Sequence, residues 1–122
     1  MSKPRPLSPI QERALFNLAT GAYVHPTMQQ MGALFSRCYV DEQGRITTLG
    51  LGRVALMDGQ RCEDFKTADK NFLASQERLA RKAIEAGKRV YAEQRETIFV
   101  RARARRARVT LAAIDLVRSG RV

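Results

Sequence analysis

The sequence predicts a mainly α-helical protein with one small two-stranded β element, and three observations carry that expectation. The second half is rich in Ala, Arg and Glu and almost free of helix breakers, a composition that favours helices over strands. Apolar residues in that half recur at helical spacing over long stretches. In the first half, Glu42-Gln43-Gly44 separates two short runs, Tyr39-Val40-Asp41 and Arg45-Ile46-Thr47, as a turn separates paired strands.

In chain order, Leu7-Ser8-Pro9-Ile10-Gln11 reads as a helix start, with Ser8 as N-cap, Pro9 at the first helical position and Gln11 completing a capping box. Ile10, Ala14 and Leu18, with Leu15 beside them, are the expected buried face, and Gly21 the stop. A second helix is expected from Pro26 to Arg37, with Met28, Met31, Phe35 and Cys38 at apolar helical spacing. Met28, Met31 and Cys38 then read as core. After the hairpin, Gly50 and Gly52 lead into a short helix over Arg53–Met57. From Phe72 onward, Phe72, Leu79, Ala83 and Val90 form one row and Leu73, Ala80, Ile84 and Tyr91 a second, together one amphipathic face. Gly87 marks either a break or a close helix contact. The last stretch, Glu93–Arg118, carries a row Val100, Ala104, Ala107, Leu111, Ile114. On the opposite side runs a row Ile98, Ala102, Val109, Ala113, Leu116. A helix with two apolar rows has two neighbours, here expected to be the preceding helix and a partner subunit. Gly120 then stops it.

The chain holds 22 Lys+Arg against 12 Asp+Glu, a net charge of +10, and the placement of that charge matters more than its total. Residues 1–65 contain seven bases and six acids, whereas residues 66–122 contain fifteen and six. All four Pro fall in the first part, so a boundary is expected around Gly59–Phe65. That gives a head over residues 1–62 and a basic helical segment over 63–122. Arg101, Arg103, Arg105, Arg106 and Arg108 crowd into eight residues with no acid. Arg101, Arg105 and Arg108 occupy one gap between the apolar rows, and Arg103 and Arg106 the other. They are candidates for contact with phosphate or with an acidic protein surface. The plainer alternative is a solvated helix face whose arginines pair with Glu93, Glu96 or Asp115.

Several function classes find no support. One His, His25, and two Cys, Cys38 and Cys62, leave no metal site without carboxylates, and those show no ligand spacing. A Ser-His-Asp or Cys-His machine would run through His25 alone, which reads as a turn or N-cap residue. Gly50-Leu51-Gly52 lacks the third glycine and the Lys-Ser/Thr of a phosphate loop. Tyr23, Phe35 and Tyr39 are too scattered for a base-stacking platform. Neither a catalytic set, a cofactor nor a small-molecule substrate is expected. The N-terminus lacks the apolar stretch of a signal peptide and no run has the length of a membrane span. A cytoplasmic protein with reduced thiols is expected.

Two stretches resemble the winged-helix DNA-binding superfamily of MarR- and PadR-like regulators. Phe35-Ser36-Arg37-Cys38-Tyr39-Val40 is similar to the passage from recognition helix to first wing strand. Ile46-Thr47-Thr48-Leu49-Gly50-Leu51-Gly52-Arg53-Val54-Ala55-Leu56 is similar to the second wing strand and the helix start that follows it. The match covers roughly residues 8–57 in abbreviated form, since only Ala22, Tyr23, Val24 and His25 lie between Gly21 and Pro26. The resemblance implies a winged-helix-like head with a two-stranded β wing at Gly44, and a second helix that enters the major groove. Thr27, Gln29, Gln30, Ala33 and Arg37 would then face the bases, and Arg45 would reach backbone or minor groove. The expected function is a DNA-binding protein, a small phage-, prophage- or plasmid-type transcriptional regulator. It would act on double-stranded DNA as a homodimer through its C-terminal helices. Two rivals stand beside it. One is a phage-encoded inhibitor or adaptor that docks on an acidic protein surface of a nucleic-acid-handling complex. The other resembles a small-terminase packaging subunit.

Overall fold

Short polar side chains start most of the helices, as unsatisfied N-terminal amides require. The computed structural model describes residues 6–21, 26–92 and 98–122. Among these it contains α1 (Pro9–Thr20), α2 (Met28–Ser36), α3 (Thr48–Met57), α4 (Gly59–Thr67), α5 (Lys70–Ala92) and α6 (Ile98–Arg118). Ser8 and Gln11 form the expected capping box at α1, and Gly21 closes that helix with φ +79°. Thr27 and Gln30 form a second box at α2. Thr47 caps α3 and Asp58 caps α4, and Asp69 accepts the Phe72 N–H at 2.8 Å at the start of α5. α6 stops at Gly120, where Gly120 N–H donates to the Val117 carbonyl and Arg121 N–H to that of Leu116. The expectations for Tyr23, His25, Glu93 and Glu96 lie outside the described residues, as do the side chains of Val90, Tyr91 and Ile98.

α6 is the element on which α1, α3, α4 and α5 all pack. Leu15 of α1, Leu34 of α2, Val54 of α3 and Ile114 of α6 are the largest fully buried side chains. Phe65 of α4 and Leu73 of α5 belong to the same cluster. Among the described residues, both apolar rows of α6 pack within the chain. Ala104 of the first row meets Gly87 of α5, and Ala102 of the second meets Gly21 at the end of α1. Val109, Ala113 and Leu116 of the second row are buried as well. The head therefore packs on the row from which a partner-subunit contact was expected. Its short helices cannot close a core alone, and an apolar row on α6 supplies the missing wall.

Gly87 is a close helix contact, and α5 runs unbroken through it. A Cβ at this position would stand 2.8 Å from the Ala104 Cβ. Alanine for glycine inside a helix ordinarily gains about 1 kcal/mol, but overpacking costs about 1–3 kcal/mol and outweighs it here. Gly87→Ala is expected to lower stability by about 1 kcal/mol net. In a double-mutant cycle with Ala104→Gly, read by urea unfolding, the two sites should couple by about 1 kcal/mol. Additive effects would contradict the contact.

Glu77 ties the other end of the α5–α6 pair, accepting from Arg118 of α6 and from Arg81 of α5, the latter at 3.1 Å. These hydrogen bonds, Arg118 first, hold its carboxyl below the usual value of 4.5. A carboxylate lowered in this way contributes stability that is full above the ordinary value and is lost as pH falls through the lowered one. Glu77→Gln is expected to melt below the native chain at neutral pH, and the gap should close as the pH is taken well under 4.5. A gap that persists in acid contradicts the linkage.

Besides an α3 that starts at Thr48 and takes in both Gly50 and Gly52, rather than starting at Arg53, the structure differs from the sequence expectation in three further places. First, no β-strand forms among the described residues, so the two-stranded wing is absent and the fold is all α. Val40 and Ile46 make one isolated antiparallel bridge around a turn in which Asp41 Oδ1 accepts the Gln43 and Arg45 N–H groups, both at 2.9 Å. Both flanks of that bridge are engaged elsewhere. Cys38 adopts φ +62°, which breaks an extended run before Val40. Thr47 accepts the Gly50 N–H at 3.1 Å as N-cap of α3 and donates to the Cys38 carbonyl at 2.6 Å. Too little chain remains on either side to build a ladder.

Second, Cys38 is exposed rather than packed. Cys62 is the buried thiol, donating to the Ala55 carbonyl at 3.3 Å, and burial, reinforced by Asp58, pushes its pKa up. Third, the inward faces of α1 and α2 are rotated. α1 buries Ala14, Leu15 and Ala19, with Ile10 69% exposed. α2 begins after Thr27 and turns Leu34 inward, leaving Met28 92% exposed and Phe35 half exposed. α2 is apolar on more than one side but packs chiefly on α1, so one side alone can be covered. Leu34 is held there because its carbonyl also receives the Arg37 and Tyr39 N–H groups where the chain reverses.

Candidate nucleic-acid interface

At about 100° per residue, Arg101, Arg105 and Arg108 share one side of α6, and Arg103 and Arg106 the opposite side. The structure keeps this division and gives each side its own surroundings.

On the first side, α6 passes the end of α1 and the turn at Gly44. There Arg101, Arg105 and Arg108 line a cleft of about 340 Å³ together with Arg45, over a floor of Leu18, Ala19 and Leu51. Gly21 makes the approach possible, since a Cβ there would lie 3.1 Å from Arg105 Cδ and 3.3 Å from Ala102 Cα. The half-buried Arg105 stem thus lies at the C-terminus of α1, where the helix dipole favours a cation. Arg101 and Arg108 are exposed. Arg45 arrives from the head: Asp41 fixes its backbone N–H at 2.9 Å, and its guanidinium donates to Gln43 Oε1. Four guanidinium groups and no carboxylate are among the described residues that line the cleft. Forked N–H donors on a delocalised cation match the oxygens of a phosphate.

The other candidates from the head are placed differently. Thr27 Oγ1 accepts the Gln30 N–H at 3.1 Å, and Gln30 Oε1 accepts the Thr27 N–H at 2.9 Å, so both side chains serve the start of α2. Arg37 Nη1 donates to the Ala33 carbonyl at 2.7 Å, which turns that guanidinium back onto the end of its own helix. Gln29 is exposed, beside the exposed Met28. Of the six head residues, Arg45 is the one that lines the cleft. No local signal joins Arg45 to the α6 arginines; the meeting depends on how the 41–44 turn packs.

On the second side, Arg103 and Arg106 line a groove between α5 and α6 with Lys82 and Arg89. Sequence reasoning passed over these two α5 cations, because the register of α5 against α6 is set by the Gly87–Ala104 contact. Other arginines have structural duties. Arg53 pairs with Glu12 at 2.5 Å and Arg121 with Asp115 at 2.9 Å. Arg61 donates to the buried Thr110 Oγ1 and lies 5.3 Å over the Phe65 ring. Asp115, a proposed partner for the arginine run, therefore serves Arg121. Among the described residues no helix is long and apolar enough to cross a membrane. No protein-family model, curated protein or solved structure matches the chain.

Proposed function

We propose that the chain binds double-stranded DNA along its phosphate backbone, through the cleft where Arg45 meets Arg101, Arg105 and Arg108. The observation that supports this reading is the convergence itself: two distant segments place four arginines around one cleft with no carboxylate among its described lining residues. Phosphate contact rests on positive charge and carries no base information. Base preference, in a transcriptional regulator or a packaging subunit, falls chiefly to Gln29, since Thr27, Gln30 and Arg37 are occupied with the ends of α2.

Fluorescence anisotropy with a labelled duplex of about 20 base pairs tests the proposal. Four phosphate contacts give a slope of log Kobs against log salt near −3.6, or roughly 100-fold weaker binding between about 50 and 200 mM salt. Absence of binding at the lower salt overturns it.

A further inference from the structure

Arg103 and Arg106 lie roughly half a turn around α6 from Arg101, Arg105 and Arg108. A duplex seated in the Arg45 cleft leaves them untouched. They line instead a groove of about 800 Å³ between α5 and α6, with Lys82 and Arg89 on α5. Its apolar lining includes Leu79, 60% exposed, with Ala83, Ala86 and Ala107 beside it. From Gln76 to Arg89 the groove follows α5 for about 20 Å, the length of three to four helical turns.

We propose that this groove docks an acidic amphipathic helix of a partner protein. The apolar stripe of that helix rests on Leu79 and the alanines, and its carboxylates meet Arg103, Arg106, Lys82 and Arg89. Charge complementarity selects this occupant, since the described lining residues include four cations and no carboxylate. The exposed leucine and the small residues beside it separate it from a nucleic-acid site. A phosphate backbone would use the cations and leave Leu79 without an apolar partner, whereas a helix with anchors at i, i+3 or i+4, and i+7 covers both features. A second copy of the same groove would set cation against cation.

The probe is a fluorescein-labelled peptide of about 15 residues with leucines at that spacing and glutamates elsewhere. Two controls accompany it, a scramble of the same composition and a version with lysine for glutamate. The acidic amphipathic peptide is expected to bind in the micromolar range, the scramble at least tenfold more weakly, and the lysine version not at all. Leu79→Asp, an exposed site that should leave the fold intact by circular dichroism, is expected to weaken binding at least tenfold. The pair Arg103→Glu and Arg106→Glu should do the same, while Arg45→Ala leaves binding unchanged. Equal binding of the scramble, indifference to Leu79→Asp, or no binding at about 100 µM overturns the proposal. So does competition by duplex DNA that survives the joint replacement of Arg101, Arg105 and Arg108 by alanine, which assigns the groove to nucleic acid. A dimer seen by light scattering and abolished by Leu79→Asp overturns it too, in favour of a second copy.

Discussion

Alanine at position 50 is expected to cost roughly 3 kcal/mol of stability, a fall of about 10 °C in melting temperature for a chain of this size. Gly50 is buried in the first turn of α3, where a Cβ would stand 2.3 Å from the Tyr39 carbonyl oxygen and 2.8 Å from Ile46 Cγ1. That oxygen belongs to the backbone and accepts the Thr47 N–H at 3.0 Å, so it cannot swing aside. The segment from Tyr39 to Ile46 must lift from α3 and carry Arg45 away from the cleft. Two residues on, Gly52 has nothing within 4 Å of its Cβ position. Gly52→Ala is therefore expected to gain about 0.5–1 kcal/mol from helix propensity. Urea unfolding compares the two variants, and effects of the same sign would contradict the packing at Gly50.

These two glycines show where local sequence rules stop. In the sequence they are interchangeable parts of a lead-in to a helix, and only the carbonyl of Tyr39 distinguishes them. Helix ends were legible at Ser8, Gln11, Gly21 and Gly120, because a cap depends on neighbours a few residues away. The division of the α6 arginines into two sides was legible too, since it follows from helical spacing alone. The inward side of α2 was not, because Leu34, Met31, Phe35 and Met28 span a wide arc of the helix and the position of α1 decides which part of it is covered. The second apolar row of α6 was read correctly as a contact surface, but nothing in its spacing says whether the head or another chain covers it. The hairpin failed at Cys38 and Thr47, whose mutual hydrogen bond joins residues that no periodicity relates. The same turn brings Arg45 to α6, so the candidate site was legible in its parts and not in its assembly.

Replacing Arg101, Arg105 and Arg108 together by alanine is expected to remove three of four phosphate contacts. The salt slope should fall from near −3.6 to near −0.9, with at least a 100-fold loss of duplex affinity at low salt. The Arg105 stem packs against Gly21, so the pair Arg101→Ala and Arg108→Ala, both exposed, serves as the variant least coupled to the fold. It should lower the slope by about 1.8. Arg37→Ala is expected to leave the slope where it is, because that guanidinium is turned onto the Ala33 carbonyl. Anisotropy titrations across a salt series read all three. A slope that falls for Arg37→Ala but not for the α6 variants would move the contact to α2.

Arg45→Ala tests the central claim most directly, since Arg45 reaches the α6 arginines through the folded turn alone. Its duplex-binding slope is expected to fall by about 0.9, as for Arg108→Ala, with the melting temperature unchanged. The double variant Arg103→Ala and Arg106→Ala, on the far side of α6, should keep the native slope. A slope unchanged by Arg45→Ala, or lowered by the Arg103 and Arg106 pair instead, would contradict a phosphate site shared between the head and α6.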